Sequence, residues 1–433
     1  MPIATSDKRH GDHIEEGSRP GAPGALRIAA IYGANGHGKT RLVQAVRLLK
    51  RLVTVGGRET LKEIKPFRWK KSKFEQPSRF EISFRTSLAD YDYGIIADGE
   101  RVFQEWLFET RKKNESLMYS REYIPDKKSY KYEFGSRLKG AKSPVENVSI
   151  SKFLKVVSSG VDDCSTFIEA AFDNDLSEVF DPYDWLANVL QPVGAESTYA
   201  GLHSHAAKDE KFLEFLSEQL KLADTGMSGL KVKKSNISGA LIESFLSLED
   251  DTVLGHIKEM TANETVTVGS SDGAAMLINR DEKGDFEVYQ FFARHEADYG
   301  DVDSDIIDES SGTRRLMDLF PMLYSLRQRE LVYVVDELDR KLHPLLAYRF
   351  LSSFLEQGKG QLIFTTHTTY ILDLDLLRRD EIWLMQKKDD GASEIYSLAD
   401  FKVRPDLDVR KGYLQGRFGA VPFLGDLKSL GWC

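Results

Sequence analysis

The run Gly33-Ala34-Asn35-Gly36-His37-Gly38-Lys39-Thr40 places three glycines just ahead of a lysine and a hydroxyl. Glycines let successive backbone N–H groups turn inward on a phosphate chain at a helix N-terminus, where the helix dipole adds positive potential. Lys39 then supplies a fixed charge for the terminal phosphates of ATP, and Thr40 a hydroxyl for Mg²⁺. Far along the chain, Val334-Val335-Asp336-Glu337 closes an apolar run with two carboxylates. One of them, Asp336, suits the shell of the metal, and Glu337, on the other face of the chain, suits proton removal from an attacking water. A third group, Thr365-Thr366-His367, offers an imidazole that can hydrogen-bond the terminal phosphate. Each group also has a plainer reading: a glycine turn before an ordinary helix, a solvated acid pair at a strand end, a structural histidine.

These residues need particular elements to position them. Leu26 to Tyr32 is a short apolar run of strand type, and Leu42, Val43, Val46, Leu49 and Val53 follow at helical spacing. Leu331 to Val335 is apolar throughout, as a strand in the middle of a parallel sheet covered on both faces should be. Gln361 to Thr365 reads as a further strand. Before the acidic strand, Glu309-Ser310-Ser311-Gly312-Thr313-Arg314-Arg315-Leu316 opens a helical run marked by Leu316, Leu319, Phe320 and Leu323. Serine and glycine at a helix start make a second anion site, with Ser311 and Gly312 as its candidates.

Phe80 to Phe84, Tyr91 to Ile96 and Val102 to Phe108 read as consecutive strands, with Asp98-Gly99 in a hairpin turn. From Ser143 to Asn263 the period turns helical, through Phe153, Val156 and Val157, then Phe212, Phe215, Leu216 and Leu220, then Leu241, Phe245 and Leu246. Short strands return from Val266 to His295. The expected organisation is an α/β protein with a first ATPase lobe at 1–140, a helical insertion at 141–264 and a second lobe at 265–433. That insertion is too short and too broken by Gly, Pro and Asn for a long heptad coiled coil.

The 433 residues carry a net charge of -9, so any contact with nucleic acid must come from a local patch. Lys65-Pro66-Phe67-Arg68-Trp69-Lys70-Lys71-Ser72-Lys73 is one such patch, with a solvated loop rim near the nucleotide as its plainer reading. Two cysteines, Cys164 and Cys433, make neither a disulfide framework nor a zinc site. Met1 to Pro20 is charged and no run has the length of a membrane span, which together predict a cytoplasmic protein with no membrane partner. Asp301, Asp303 and Asp305 lack the glycine and distal glutamate of a calcium loop. His10 with His13, and His203 with His205, are weak metal candidates.

The order of these parts resembles the ABC-type ATPases: phosphate loop, inserted domain, signature helix, acidic strand, Asp339 in the following loop, switch histidine. More narrowly, Ile31 to Thr40, Ser310 to Leu316, Asp336-Glu337-Leu338-Asp339 with Leu342-His343-Pro344, and the tail Gly412 to Ala420 resemble the AAA family 15 branch of stand-alone ABC ATPases found in anti-phage defence operons, and within it the ATPase subunits of PARIS-type systems. The resemblance implies an ABC-type P-loop head with a mixed sheet, an antiparallel side sheet and a helical insertion. It also implies Mg²⁺-dependent ATP hydrolysis in a homo-oligomer built from ATP-sandwich dimers or a larger ring. In such a dimer Ser311, Gly312 and Asp339 of one subunit reach the nucleotide held by the other. A separate TOPRIM-type nuclease effector and a phage anti-restriction trigger protein are the implied partners, with direct nucleic-acid binding secondary. The chain departs from the family pattern in having Thr313 and Arg314 where a second glycine and a glutamine usually stand. Gln76 is the only loose candidate for the glutamine loop, and the usual N-terminal strand is replaced by the polar stretch Met1 to Ala25. The segment after His367 is too short for a TOPRIM domain of its own. The alternative is an ATPase acting on nucleic acid directly, related to the SMC and overcoming-lysogenisation-defect proteins.

Overall fold

The computed structural model describes residues 3–5, 7–17, 22–74, 76–111, 114–199, 202–238, 241–242, 255, 257, 259–261, 264–269, 275–401 and 408–422. The chain is α/β and divides into two compact units, one of Met1–Ala195, Glu330–Leu338 and Lys359–Cys433, the other of Glu196–Arg329 and Asp339–Gly358.

At the centre of the first unit is a six-stranded sheet ordered Ser393–Ser397, Ile382–Lys387, Ile28–Tyr32, Gln361–Thr365, Val332–Val335, Leu190–Val193. All neighbours run parallel except the edge pair Ile382–Lys387 with Ser393–Ser397, which forms a hairpin. Ile28–Tyr32 is buried at every position, which explains its unbroken apolar run. Register decides the chemistry, because Val335 lies opposite Phe364 and Thr365 opposite Ile31. The loops that follow three adjacent parallel strands therefore leave the sheet at one edge, the place where open α/β sheets bind ligands.

Beside it, five antiparallel strands form a meander of Ser78–Arg85, Asp90–Ala97, Val102–Arg111, Asn114–Ile124 and Ser129–Phe134. The first three coincide with the strands read from sequence, and residues 98–101 make the expected hairpin turn. The last two escape a pattern reading because Ser129–Phe134 keeps alternate residues in water and none fully buried. Lys39–Thr54 buries Val43, Leu49, Leu52 and Val53 in the same core as Tyr91, Tyr93, Phe153 and Phe167. Glu105, wholly buried there, accepts from Tyr93 Oη (3.1 Å), Tyr119 Oη (2.7 Å) and the first amides of helix Phe167–Asp173, Phe167 N (2.7 Å) and Ile168 N (3.2 Å). A buried carboxylate is tolerated because donors surround it and a helix N-terminus faces it.

In the second unit Gly229–Ile237 pairs antiparallel with Phe286–Ala297, which also pairs with Ala275–Arg280 and Gly300–Asp305. Gly229–Ile237 lies inside the stretch expected to be helical. Its Leu230, Val232 and the lysines between them alternate, and that period of two prevails over the helices Leu202–Lys208 and Glu210–Leu222 before it. Phe245 and Leu246 lie outside the described residues. Asp303 pairs with Arg294 on the adjoining strand and with Lys231 on the strand beyond it, so the acidic stretch is a charged strand face. His205 stacks on Phe212 at 3.9 Å and His203 meets the ring of Phe291 edge-on at 4.4 Å, so both imidazoles are packing groups. Among the described residues no helix is long and apolar enough to cross a membrane.

The polar N-terminal stretch is tied down by charge. Arg378, fully buried, holds Asp380 through two hydrogen bonds of 2.8 Å and donates to the carbonyls of Asp7 and Arg9. His13 Nδ1 lies 3.1 Å from both oxygens of buried Glu381, and its ring stacks on His10. Burial alone would raise the Asp7 carboxyl, but hydrogen bonds from Arg379 and Arg9, with the Arg379 charge, outweigh it and hold Asp7 at about 2. An unfolded Asp titrates near 3.9, so this pair stabilises the fold above about pH 4 and loses its effect as pH falls toward 2, a loss of about 2 kcal/mol. Asp7→Asn should be less stable than the parent at pH 7, and urea titrations at pH 7 and pH 2.5 should show the gap closing. A gap of the same size at both pH values would mean that the Asp7 charge does not stabilise the fold.

Candidate nucleotide site

Ile28–Tyr32 delivers the chain into the glycine loop, and Lys39–Thr54 takes it away. Gly38 is the N-cap of that helix at φ 104°, a conformation that L side chains avoid. A Cβ on Gly33 would lie 2.4 Å from the carbonyl oxygen of Met385, which also takes a hydrogen bond from His37 Nδ1 at 3.0 Å. Substitution at either glycine therefore meets backbone or strain. Ala34 is buried, Asn35 and Gly36 form the exposed crest of the loop, and Thr40 is exposed in the first helical turn.

Lys39 is 5% exposed and its ammonium donates to Gly33 O (2.5 Å) and Ala34 O (3.3 Å). It also lies 3.5 Å from His367 Nδ1. Lysine has only donors, so Nδ1 is the accepting nitrogen and the imidazole proton sits on Nε2. That nitrogen is 3.7 Å from Glu337 Oε1. Asp336 is buried, with Oδ1 accepting from Thr365 Oγ1 at 2.7 Å, and the same Thr365 oxygen accepts from Glu337 N at 2.8 Å. Glu337 sits at φ 46°, a left-handed conformation that a glutamate adopts only when its surroundings require it. The bonds that require it are Glu337 N to Thr365 Oγ1 and Leu338 N to Thr365 O at 3.1 Å.

Lys39, His367, Glu337 and Asp336 thus come together in one unit, Lys39 beside His367, His367 beside Glu337, and Thr365 joining Glu337 to Asp336. A buried carboxylate and an exposed residue's hydroxyl, Asp336 and Thr40, are hard oxygen donors of the kind Mg²⁺ takes. Ser311, Gly312 and Asp339 belong to the second unit. There Ser310 is the N-cap of helix Ser311–Gln328, its hydroxyl accepting from Thr313 N at 3.0 Å. Ser311 is the exposed first residue of that helix, and a Cβ on Gly312 would lie 3.0 Å from Lys341 O. Asp339 is half-buried, its carbonyl accepting from Leu342 N. Gln76 is exposed in the turn before Ser78–Arg85. The site residues that pattern reading missed are Thr365 and Met385. The first had a signal in Thr365-Thr366-His367, a hydroxyl at the end of a strand facing two acids; the second acts through its backbone and had none.

No curated protein matches the chain. Among solved structures it is similar to an SMC head bound to the C-terminal winged-helix domain of ScpA, with 15% identity over 86% of this chain and 89% of that one and a TM-score of 0.35. It is also similar to an SMC head domain from Thermotoga maritima, with 13% identity over 89% and 97% of the two chains and a TM-score of 0.32. Residues 28–150 and 201–373 match a family model described as "AAA domain, putative AbiEii toxin, Type IV TA system". The matched segments make up well over half of the chain and include the glycine loop, the two carboxylates and the histidine, so the chain belongs to this family of AAA domains.

Proposed function

We propose that the chain is an ABC-type ATPase that binds and hydrolyses ATP with Mg²⁺, and that it serves as the sensor and scaffold subunit of an anti-phage defence complex in the cytoplasm, of the AriA type found in PARIS systems. The observation that carries the enzymatic part is the run of contacts from Lys39 through His367, Glu337 and Thr365 to Asp336. Amides of Gly36 to Thr40 and the Lys39 ammonium would hold the phosphate chain, with Thr40 and Asp336 holding the metal. Bound Mg²⁺ supplies positive charge to the phosphate oxygens. Glu337 takes a proton from water, and His367, its proton on Nε2, orients between the Lys39 charge and the Glu337 carboxylate.

The defence role is supported by the family's description, which names a toxin of a toxin–antitoxin system, and by the resemblance of the signature and tail segments. On this reading the subunit holds a separate TOPRIM-type nuclease and releases it when a phage anti-restriction protein is sensed. Ser311, Gly312 and Asp339 complete the nucleotide site of a neighbouring copy, so hydrolysis needs at least two subunits.

Complementation tests this. Lys39→Ala and Ser311→Arg chains should each be inactive alone, and a mixture should regain part of the ATPase activity, because one composite site per mixed dimer keeps an intact loop and an intact signature. A mixture that stays inactive despite verified co-assembly rules out the shared site.

A further inference from the structure

The hairpin of Ile382–Lys387 and Ser393–Ser397 touches the glycine loop and an exposed aromatic residue at once. On the loop side, a Cβ on Gly38 would lie 2.5 Å from Ser393 Oγ, and Met385 O meets both Gly33 and His37. At the hairpin tip, a Cβ on Gly391 would lie 2.7 Å from Trp69 Cγ, and Lys387 Nζ stands 4.5 Å from the centre of the Trp69 ring. The next residue, Lys70, is held by Asp390 at 2.5 Å. Trp69 is therefore fixed in place from one hairpin, yet it remains 70% exposed, so much of its ring surface faces water. The indole is held by the Lys387 cation–π contact and by its neighbour's Lys70–Asp390 pair, and its open ring surface presents a π face on which a flat ring can stack.

We propose that Trp69 is the base platform of the nucleotide site: the purine of bound ATP stacks on its open ring surface while the triphosphate lies in the Gly33–Thr40 loop. The inference rests on the nucleotide-site reading above. Gly391 and Ser393 are two residues apart, roughly 7 Å of extended chain. The indole and Gly38 are thus separated by that length of hairpin and two direct contacts, a span that the ribose and phosphates of one nucleotide can bridge. Indole offers the widest π surface of any side chain, and the Lys387 charge polarises it. Arg68, Lys71 and Lys73, all exposed on the same segment, bring positive potential to the approach of a polyphosphate in a chain whose net charge is negative. This gives the basic aromatic segment Lys65 to Lys73 a mononucleotide as its ligand, and not a nucleic-acid strand.

The test compares ATP with inorganic tripolyphosphate, which has no base, by calorimetry on the full chain. Trp69→Ala should bind ATP about tenfold more weakly, the usual scale for loss of one base–aromatic stack, with tripolyphosphate affinity unchanged. Trp69→Phe should recover most of the loss. ATP should also quench the tryptophan fluorescence of the parent, and Trp69→Phe should abolish that quench while keeping most of the binding. Equal weakening of ATP and tripolyphosphate would overturn the proposal, because the loop would then have been disturbed and not the stack. So would a Trp69→Ala chain that keeps its ATP affinity but loses binding to a single-stranded oligonucleotide. Lys39→Ala separates the two levels: if it loses ATP while Trp69→Ala does not, the base platform fails and the phosphate site stands. If neither substitution changes ATP binding, the nucleotide site itself is misplaced.

Discussion

Lys39→Ala should reduce ATP turnover by on the order of 10²–10³-fold, the scale for removal of one preorganised donor aimed at developing charge. The ammonium is held almost out of water by two carbonyls of its own loop and by His367. The charge is therefore already at the loop before the substrate arrives, and its N–H donors exchange loop carbonyls for phosphate oxygens when ATP binds. Alanine removes the charge and also leaves the Gly33 and Ala34 carbonyls without the donor that offsets them, so the loop should repel phosphate where it attracted it. Lys39→Arg is expected to fail as well, since a planar guanidinium cannot occupy a pocket built around a compact ammonium. Steady-state turnover and the thermal midpoint should be measured together. Turnover within a few-fold of the parent, in a chain that melts as the parent does, would remove Lys39 from the site.

The parts of this site that could be read from sequence are those where local backbone chemistry is restrictive. Gly38 must take φ 104° and Gly33 must admit a neighbouring carbonyl, so the loop declares itself through its glycines. Val332–Val335 declares itself through an apolar run that ends in Asp336 and Glu337. What sequence could not supply is register. That Thr365 reaches Asp336 and Glu337 together depends on the register that sets Val335 opposite Phe364, and its place beside the glycine-loop strand on the one that sets Thr365 opposite Ile31, so strands from three parts of the chain must align. Local pattern does not encode that alignment. The same limit hid the docking of Asp7 and His13 against Arg379 and Glu381, contacts between residues more than 360 positions apart. Gly229–Ile237 departs from the helical expectation because a helical period on both sides conceals a short alternation that only its partner Phe286–Ala297 makes worthwhile.

Glu337→Gln should separate binding from chemistry. The carboxylate follows a residue whose own carboxylate is buried and committed to Thr365, so Glu337 is the acid of the pair left to exchange a proton. Its backbone is held at φ 46° by the Thr365 oxygens, and a glutamine there inherits the same main-chain bonds. The amide oxygen can still face the Nε2 proton of His367, so the contacts that place His367 and Lys39 survive the substitution. What disappears is the capacity to take a proton from water. Loss of a positioned general base lowers turnover by about 10²–10⁴-fold, while ATP affinity should remain within a few-fold of the parent. Equilibrium binding of ATP and single-turnover hydrolysis on the same preparation give both numbers. If ATP binding falls together with hydrolysis, Glu337 holds the metal or the loop and does not act as the base. If hydrolysis persists at the parental rate, the proton leaves by another route and Glu337 is not the base.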